Sequence, residues 1–600
     1  MAEGGGGGAK AMDYYKSLQP TQLIAERGLE LVVINPGSSN LRVGLGSWQD
    51  PVVVPHCVAW HSAGNGKCED SGTRNGAIGE QMATLPVLRR DREEMCLKVE
   101  ALLGVPGNDT NGMDVSKEEV VRGGYVKCEQ EKKLELPWTQ VMERANDECA
   151  PVYRRCICGE EALRIPASQP YVLRRPMCRG RLNVSPQYPM QQVCDDMYAI
   201  WNWVLAEKML ISKAGRRNLS AVLVVPDTFD NREVKEVVSV LLRDLEFHSV
   251  VVHQECVSAT FGNGVSSACV VQMGAQDGVS ISVSQKILPY GGEDISRCLL
   301  WVQQRYGNWP LLKTDPLTNS LDMTMLDRLK QAHCALSVGG DLTATADVFS
   351  CTPGESDLYK VTLVALNVPP AGLFYPSLLT PEERMFPPRS WYYSDHEDML
   401  VDPVEAGMTA FSNEQFTNGH SSALSPSGNS LLGLHEAIVS SVLSMGRLDL
   451  KMKFFSSILL VGGVASTPGI AEFIEDKIVH TVSHQEGIDK VEVLSNRADP
   501  SILSWKGGVV LGVLDFSRES WIQRSDWIDG GLRVGSSKKY KDSLSLHAQA
   551  FWYNAVLDWP ILLIHLESHG PFWIVVDLKG VKKDLGSGLK QEMMKAVKQG

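Results

Sequence analysis

An α/β architecture built from two related lobes is predicted by three stretches of this 600-residue chain. Leu31-Val-Val-Ile-Asn-Pro-Gly-Ser-Ser-Asn-Leu-Arg-Val-Gly-Leu45 reads as a buried strand, a tight glycine turn and a second strand. Ala268-Cys-Val-Val-Gln-Met-Gly-Ala-Gln-Asp-Gly-Val-Ser-Ile281 repeats the strand–glycine–strand form, and Ile458-Leu-Leu-Val-Gly-Gly-Val-Ala-Ser-Thr-Pro-Gly-Ile470 adds a late Gly-Gly turn. Backbone amides and small hydroxyls at such turns wrap phosphate oxygens. Two such hairpins and a Gly-Gly turn point to one nucleotide clamped between two domains.

The elements follow in order. Residues 1–27 read as a flexible head with one short helix, and 28–60 as the first hairpin with the strand Val52-Val-Val-Pro-His-Cys-Val58. Residues 61–150 are polar and glycine-dotted, an insertion whose segment Leu88 to Leu103 is helical. Arg89, Arg90 and Arg92 there alternate with Asp91, Glu93 and Glu94, the pattern of a solvated helix face. Apolar residues recur at helical spacing over 193–211. The strand Ala221-Val-Leu-Val-Val-Pro226 then leads to a helix ending near Leu245, for which Asp230 and Glu233 form a capping pair. Ser249-Val-Val-Val-His253 leads to a helix from Glu255. Strand, helix, strand, helix and then a glycine hairpin is an α/β signature. Residues 380–430 carry Pro381, Pro387, Pro388 and a serine-rich run, the composition of a disordered insertion. Helical and strand patterns return from Leu431, through the Gly462-Gly463 turn, to Ala498-Asp-Pro-Ser-Ile-Leu-Ser-Trp-Lys-Gly-Gly-Val-Val-Leu511.

Bulk properties narrow the class. A composition of 44% hydrophobic and 22% charged residues is that of a globular protein, and a net charge of −13 argues against generic nucleic-acid binding. Fourteen cysteines include no C-x-x-C pair, and Cys156 and Cys158 are too close for a usual zinc ligand pair, so reduced intracellular thiols are expected. The N-terminal glycine run lacks the apolar core of a signal peptide, and no apolar run nears the ~20 residues that span a bilayer. No membrane association is expected. The basic run Arg174, Arg175, Arg179 and Arg181 reads as a solvated surface or a contact for an acidic partner, and His253 as a core histidine. No G-x-x-x-x-G-K-[ST], G-x-S-x-G or H-E-x-x-H motif occurs.

Taken in order, the motifs resemble those of the actin family. Asn35-Pro-Gly-Ser-Ser-Asn-Leu-Arg-Val-Gly44 resembles the first phosphate loop of actin, Gln272-Met-Gly-Ala-Gln-Asp-Gly-Val279 the second, and Leu460-Val-Gly-Gly-Val-Ala-Ser-Thr-Pro-Gly-Ile470 the adenosine turn. Trp505-Lys-Gly-Gly508 and Trp521-Ile-Gln-Arg-Ser-Asp-Trp527 resemble the C-terminal helices. Val251-Val-His-Gln-Glu-Cys-Val-Ser-Ala-Thr-Phe-Gly262, Pro289-Tyr-Gly-Gly-Glu-Asp-Ile-Ser-Arg297 and Leu373-Phe-Tyr-Pro376 resemble the eighth class of actin-related proteins, numbered ninth in plants. The resemblance covers residues 30–60, 150–380 and 430–530.

It implies the actin/hexokinase/heat-shock ATPase fold: a duplicated two-lobe α/β structure with a central nucleotide cleft and long insertions. The first lobe is expected over 28–270 with its insertion at about 61–150, and the second over 271–530 with its insertion at about 380–430. Residues 531–600 run past the family pattern as an atypical tail. The implied nucleotide-binding residues are Gly37, Ser38, Ser39, Asn40, Arg42, Gly274, Lys330, Gln331, Gly462 and Gly463. Arg42 falls where actin has a phosphate-contacting lysine; Lys330 and Gln331 align with a lysine and a glutamate that contact adenosine. Two aspartates and a glutamine hold the metal's waters and the attacking water in actin; the matching residues here are Asn35, Gln272 and Glu255. An amide is no base near neutral pH and brings no charge to Mg²⁺. ATP or ADP is therefore the implied cofactor, magnesium is disfavoured, and no catalytic or metal-ligating residue is assigned; Asp277 would substitute only after a one-residue slip.

The resemblance further implies a non-catalytic subunit of a nuclear ATP-dependent nucleosome remodeller. Its implied partners are actin, other actin-related proteins and the motor ATPase, with histones or linker DNA reached through the complex. A weak residual ATPase and a cytoplasmic pool stay open. Two alternatives are an acetate-kinase-like small-molecule kinase, suggested by the Asn35–Ser39 hairpin, and a chaperone-like ATPase, suggested by Glu255.

Overall fold

Six consecutive buried residues, Leu31–Pro36, suit only a strand covered on both faces, and this strand is central to the larger sheet of the computed structural model. The structure describes residues 20–62, 86–105, 124–128, 138–143, 152–166, 168–229, 231–265, 267–274, 280–281, 286–310, 314–352, 355–379, 431–444, 447–482, 488, 490–514, 521–530, 561–564 and 574–577. The strands of the two lobe sheets are β1 (Leu31–Pro36), β2 (Asn40–Leu45), β3 (Val52–Pro55), β4 (Ser220–Val225), β5 (Ser249–Gln254), β6 (Cys269–Gln272), β7 (Ser280–Ile281), β8 (Ile458–Val461) and β9 (Ile522–Gln523).

The first sheet has the order β9-β5-β4-β1-β2-β3 and the second β7-β6-β8. In the first, β1 pairs antiparallel with its hairpin partner β2 and parallel with β4. In the second, β6 pairs antiparallel with β7 and parallel with β8. The same local topology thus occurs twice, as the duplicated two-lobe expectation requires.

Two helices carry the chain between the lobes. Glu255–Asn263, here α1, follows β5 and leads to β6; Leu503–Val513, here α2, leads back to β9 at the edge of the first sheet. They cross where neither has a side chain. A Cβ on Gly507 would stand 1.5 Å from the Ser258 carbonyl oxygen, and one on Gly262 would stand 2.2 Å from that of Leu503. Beyond the crossing, Trp505, Val509 and Val513 pack with Val33, Val222 and Val224, and the Trp505 indole donates to the Val33 carbonyl at 3.0 Å. Residues 503–530, expected with the second lobe, therefore complete the first: α2 covers the face of β1 and β4 that is otherwise bare.

The first insertion differs more from expectation. The helix Pro86–Leu103 turns Cys96, Val99 and Leu103 into the second lobe's core, beside Val271, Cys298 and Val302. Its Glu100 accepts from Arg305 and, at 3.0 Å, from the Tyr306 hydroxyl. Arg92, expected on a solvated face, donates to the Leu378 carbonyl at 2.9 Å and lies 4.2 Å from the Trp301 ring centroid. Apolar residues at 96, 99 and 103 form one helical stripe, and a stripe must be covered. Farther on, Tyr125–Cys128 extends the hairpin of Ala344–Thr352 and Glu355–Leu363. A segment inserted into the first lobe's sequence is thus built into the second.

At the N-terminal end, the helix Pro20–Arg27 is tied down rather than free, with Arg27 donating to the Val513 carbonyl at 2.9 Å. Residues 1–19, the insertion at 380–430, the proposed cap Asp230, and Asp277 lie outside the described residues. Glu233 does not cap its helix alone, since it accepts from the Leu182 amide at 3.2 Å. Of the tail, Ile561–Ile564 pairs antiparallel with Ile574–Asp577. No helix among the described residues is long and apolar enough to cross a membrane.

The crossing yields a first prediction. Gly507→Ala forces a Cβ into the Ser258 carbonyl and should destabilise the protein by at least ~1–3 kcal/mol, the usual cost of overpacking. Urea unfolding monitored by tryptophan fluorescence measures it.

Candidate functional site: an amide-locked cleft

The first hairpin turns over Gly37–Asn40, closed by the Gly37 amide donating to the Asn40 carbonyl at 3.0 Å. A Cβ on Gly37 would come 2.9 Å from that same oxygen, so the tight turn excludes a side chain there. His56 fixes the turn from behind. Its backbone amide donates to the Ser39 carbonyl at 2.9 Å, and its Nδ1 lies 2.8 Å from the Gly37 carbonyl oxygen. Its Nε2 accepts from the Trp201 indole at 3.2 Å, which makes Nδ1 the protonated nitrogen. Ser38 is 3% exposed, and its hydroxyl accepts from the Gly180 amide at 2.9 Å. That hydroxyl is engaged with protein, unlike the more open Ser39 and Asn40.

Gly180 sits at the tip of a second hairpin, between Met177–Cys178 and Arg181–Leu182. Arg179 and Gly180 both have positive φ, 51° and 68°, as a two-residue type I′ turn needs. Arg179 is buried and reaches across to the second lobe, donating to the Pro289 carbonyl at 2.7 Å. Arg181 is buried as well. The solvated surface expected for this basic run is therefore overturned for both: the run's charge is visible in sequence, while the I′ turn buries these two side chains.

At the centre of the cleft stands Glu255, the first residue of α1 and a buried one. Asn35, from β1, donates its Nδ2 to Glu255 Oε1 at 3.1 Å and to the Val224 carbonyl at 3.2 Å. Gln272, from β6, donates its Nε2 to Glu255 Oε2. The two amides that stand where actin has aspartates thus hold the two oxygens of one carboxylate, each from its own lobe. Burial pushes the Glu255 carboxyl up from its ordinary range, against the opposing pull of Arg42, Asn35 and Gln272. Burial likewise lowers the Arg42 guanidinium, and the charges of Glu255 and Asp499 oppose the shift. Asp227 packs nearby, accepting from the Cys256 amide at 3.0 Å, and its carboxyl too is raised by burial.

Arg42 lies on β2 directly opposite Asn35. Its Nη1 would be 3.5 Å from a Cβ on Gly37, and its buried Nε has no hydrogen-bond partner. An unpaired buried donor beside a bare glycine fits an incoming phosphate oxygen. On the second lobe, the Gly462 amide donates to the Pro500 carbonyl at 2.9 Å, and at φ 97° a Cβ there would strike the Met273 carbonyl. Gly463 has open space where a side chain would stand. The Gly274 carbonyl accepts from the Gly292 amide at 3.0 Å, and the Gly292 carbonyl accepts from Lys330 Nζ at 2.8 Å. Lys330 also pairs with Asp327 at 3.1 Å. Gln331 is exposed, with no contact tying it to the hairpins. The turn at 275–279 lies outside the described residues. Together these glycines, Arg42 and the hairpin amides suit an adenosine polyphosphate. Among the described residues no group of three His, Cys, Asp or Glu side chains offers a metal site.

Comparison with known proteins gives this cleft its family. Actin-related protein 9 of Oryza sativa subsp. japonica is 41% identical over 589 residues, spanning 90% of this chain and 100% of that protein. The chain belongs to the actin-related protein family. The same class is found in Arabidopsis thaliana, whose actin-related protein 9 is 41% identical over 590 residues, spanning 90% of this chain and 97% of its own length. Actin-related protein 8 of Salmo salar is 28% identical over 591 residues, covering 84% and 90%. The actin family profile matches residues 371–539. Among solved structures, human actin-related protein Arp8 in its ATP-bound state superposes with a TM-score of 0.67 at 26% identity, over 86% of this chain and 98% of that one. This actin-related protein is therefore of the Arp8/Arp9 class.

Sequence reasoning named Asn35, Gln272 and Glu255 as matching positions; that Glu255 joins both amides is visible only in three dimensions. It missed His56 and Gly180, which carry no motif. The acid response of the site follows from the histidines. Burial lowers His56 to about 4 and His253 to about 3, so both are neutral in the fold while the unfolded chain protonates them near 6.5. The histidine contribution to stability should be full above pH 6.5 and fall as pH drops toward 4, His56 accounting for about 3 kcal/mol, against the opposite trend of the raised Glu255 and Asp227 carboxyls. Urea melts across that range should show the His56→Phe variant releasing about one proton less of linkage than the parent.

Proposed function

We propose that this actin-related protein is a non-catalytic subunit of a nuclear ATP-dependent nucleosome-remodelling complex, and that it holds an adenosine nucleotide as a wedge between its lobes. One observation carries the non-catalytic part: both oxygens of Glu255 accept from the amides of Asn35 and Gln272. At the three positions that order metal and attacking water in actin, no carboxylate oxygen is left without an amide on it. The two oxygens of Glu255 are thereby held as a bridge between the lobes, and the amides beside it cannot act as a base near neutral pH. The ATP-bound state of the human relative supports nucleotide binding, as do the bare Gly463 and the unpaired Arg42 Nε. A nucleotide that binds only the folded chain stabilises it by mass action. When bound, it supplies no chemistry in this reading; the chain's residues orient its phosphates and close the lobes around them.

Family membership sets the kinase and chaperone alternatives aside. The proposed partners are actin, other actin-related proteins and the motor ATPase, with histones or linker DNA met through the assembled complex. With no metal-bearing acid group among the described residues, the protein scaffolds rather than turns over.

Purified full-length chain given ATP and Mg²⁺ should release phosphate no faster than a protein-free blank; sustained turnover overturns the scaffold reading. Affinity purification from nuclei should recover actin with a remodeller motor, and recovery of neither overturns the proposed setting.

A further inference from the structure

Resting on the nucleotide reading above, we propose that the cleft binds its adenosine polyphosphate as the metal-free anion, with Arg42 and Arg175 supplying the positive charge that a divalent cation would otherwise bring.

The acids do not fit a cation. Mg²⁺ takes hard, charged oxygen ligands in near-octahedral geometry. Both hairpin positions are neutral amides, and each donates its N–H groups inward to Glu255. The nearest other carboxylate, Asp227, accepts from the first turn of α1. A cation placed here would have to break the amide–carboxylate bonds that join the lobes.

The cations are already built in. Arg42 brings its Nη1 to the turn at Gly37, and its buried Nε has no partner. Arg175 carries a buried Nη1 that also has no partner. Its charge is felt at His56, the residue bound to the Gly37 carbonyl, and at the neighbouring Cys57. Both guanidinium groups thus carry buried donors with no partner, Arg42 against the turn itself and Arg175 near enough to act on His56 behind it. Buried donors are normally paired, and two left open mark a missing acceptor. The guanidinium fork matches phosphate oxygens in pairs and keeps its charge at any physiological pH.

Isothermal titration of the full chain with ATP, once in excess EDTA and once in excess Mg²⁺, tests this. The expected dissociation constants agree within about threefold, and Arg42→Met weakens both by about tenfold or more while Arg42→Lys recovers part of the loss. Binding in Mg²⁺ that falls about tenfold or more in EDTA overturns the inference and leaves the nucleotide reading standing. Binding in neither buffer overturns both. As a second arm, Asn35→Asp combined with Gln272→Asp should create a dependence on Mg²⁺ that the parent lacks; a folded double variant indifferent to the metal, as judged by its circular dichroism and melt, overturns the assignment of those amides.

Discussion

One buried carboxylate organises this molecule. Glu255 begins the helix that joins the lobes and accepts from an amide of each, so it forms an internal bond between the halves. Burying a charge is costly unless it is paired and hydrogen-bonded, and here two amides and the Arg42 guanidinium share the task. An amide on each hairpin strand lets both lobes donate to one carboxylate, so the acid links the halves.

The second constraint is steric. Two helices can join the lobes side by side only where their backbones touch, and Gly262 and Gly507 provide the contact. The crossing fixes where Asn35 and Gln272 meet, because β1 packs on α2 and β6 follows α1. Around this hinge the insertion 86–105 adds another bond between halves: it leaves the first lobe in sequence and docks in the second through Glu100, Arg305 and an apolar stripe. Arg179 spans the mouth from the other direction. A fold that in principle opens about one hinge is here tied at several points.

Much of the fold was legible along the chain. β1, β4 and β5 show as unbroken apolar runs, the hairpin at 37–40 through its glycine and serines, and the adenosine turn through Gly462-Gly463; each is set by neighbours within a few residues. Family membership was legible for the same reason, since its motifs are local. The nucleotide site was legible in part. Gly463 has open space and Arg42 an unpartnered donor, whereas Ser38 and Lys330 turn out to be engaged with protein groups at 2.9 and 2.8 Å. A serine in a phosphate-like loop looks the same in sequence whether its hydroxyl faces ligand or a neighbouring amide.

By itself the sequence determined which side chains exist at the reacting positions: amides at 35 and 272, an acid at 255, an arginine at 42. That chemistry is covalent and needs no fold to state it. Only the tertiary structure decided that the amides close on the acid, that Arg179 and Arg181 turn inward, and that the first insertion belongs to the second lobe. Those outcomes depend on contacts between residues separated by tens to hundreds of positions, whose energies come from burial and geometry that no local pattern encodes.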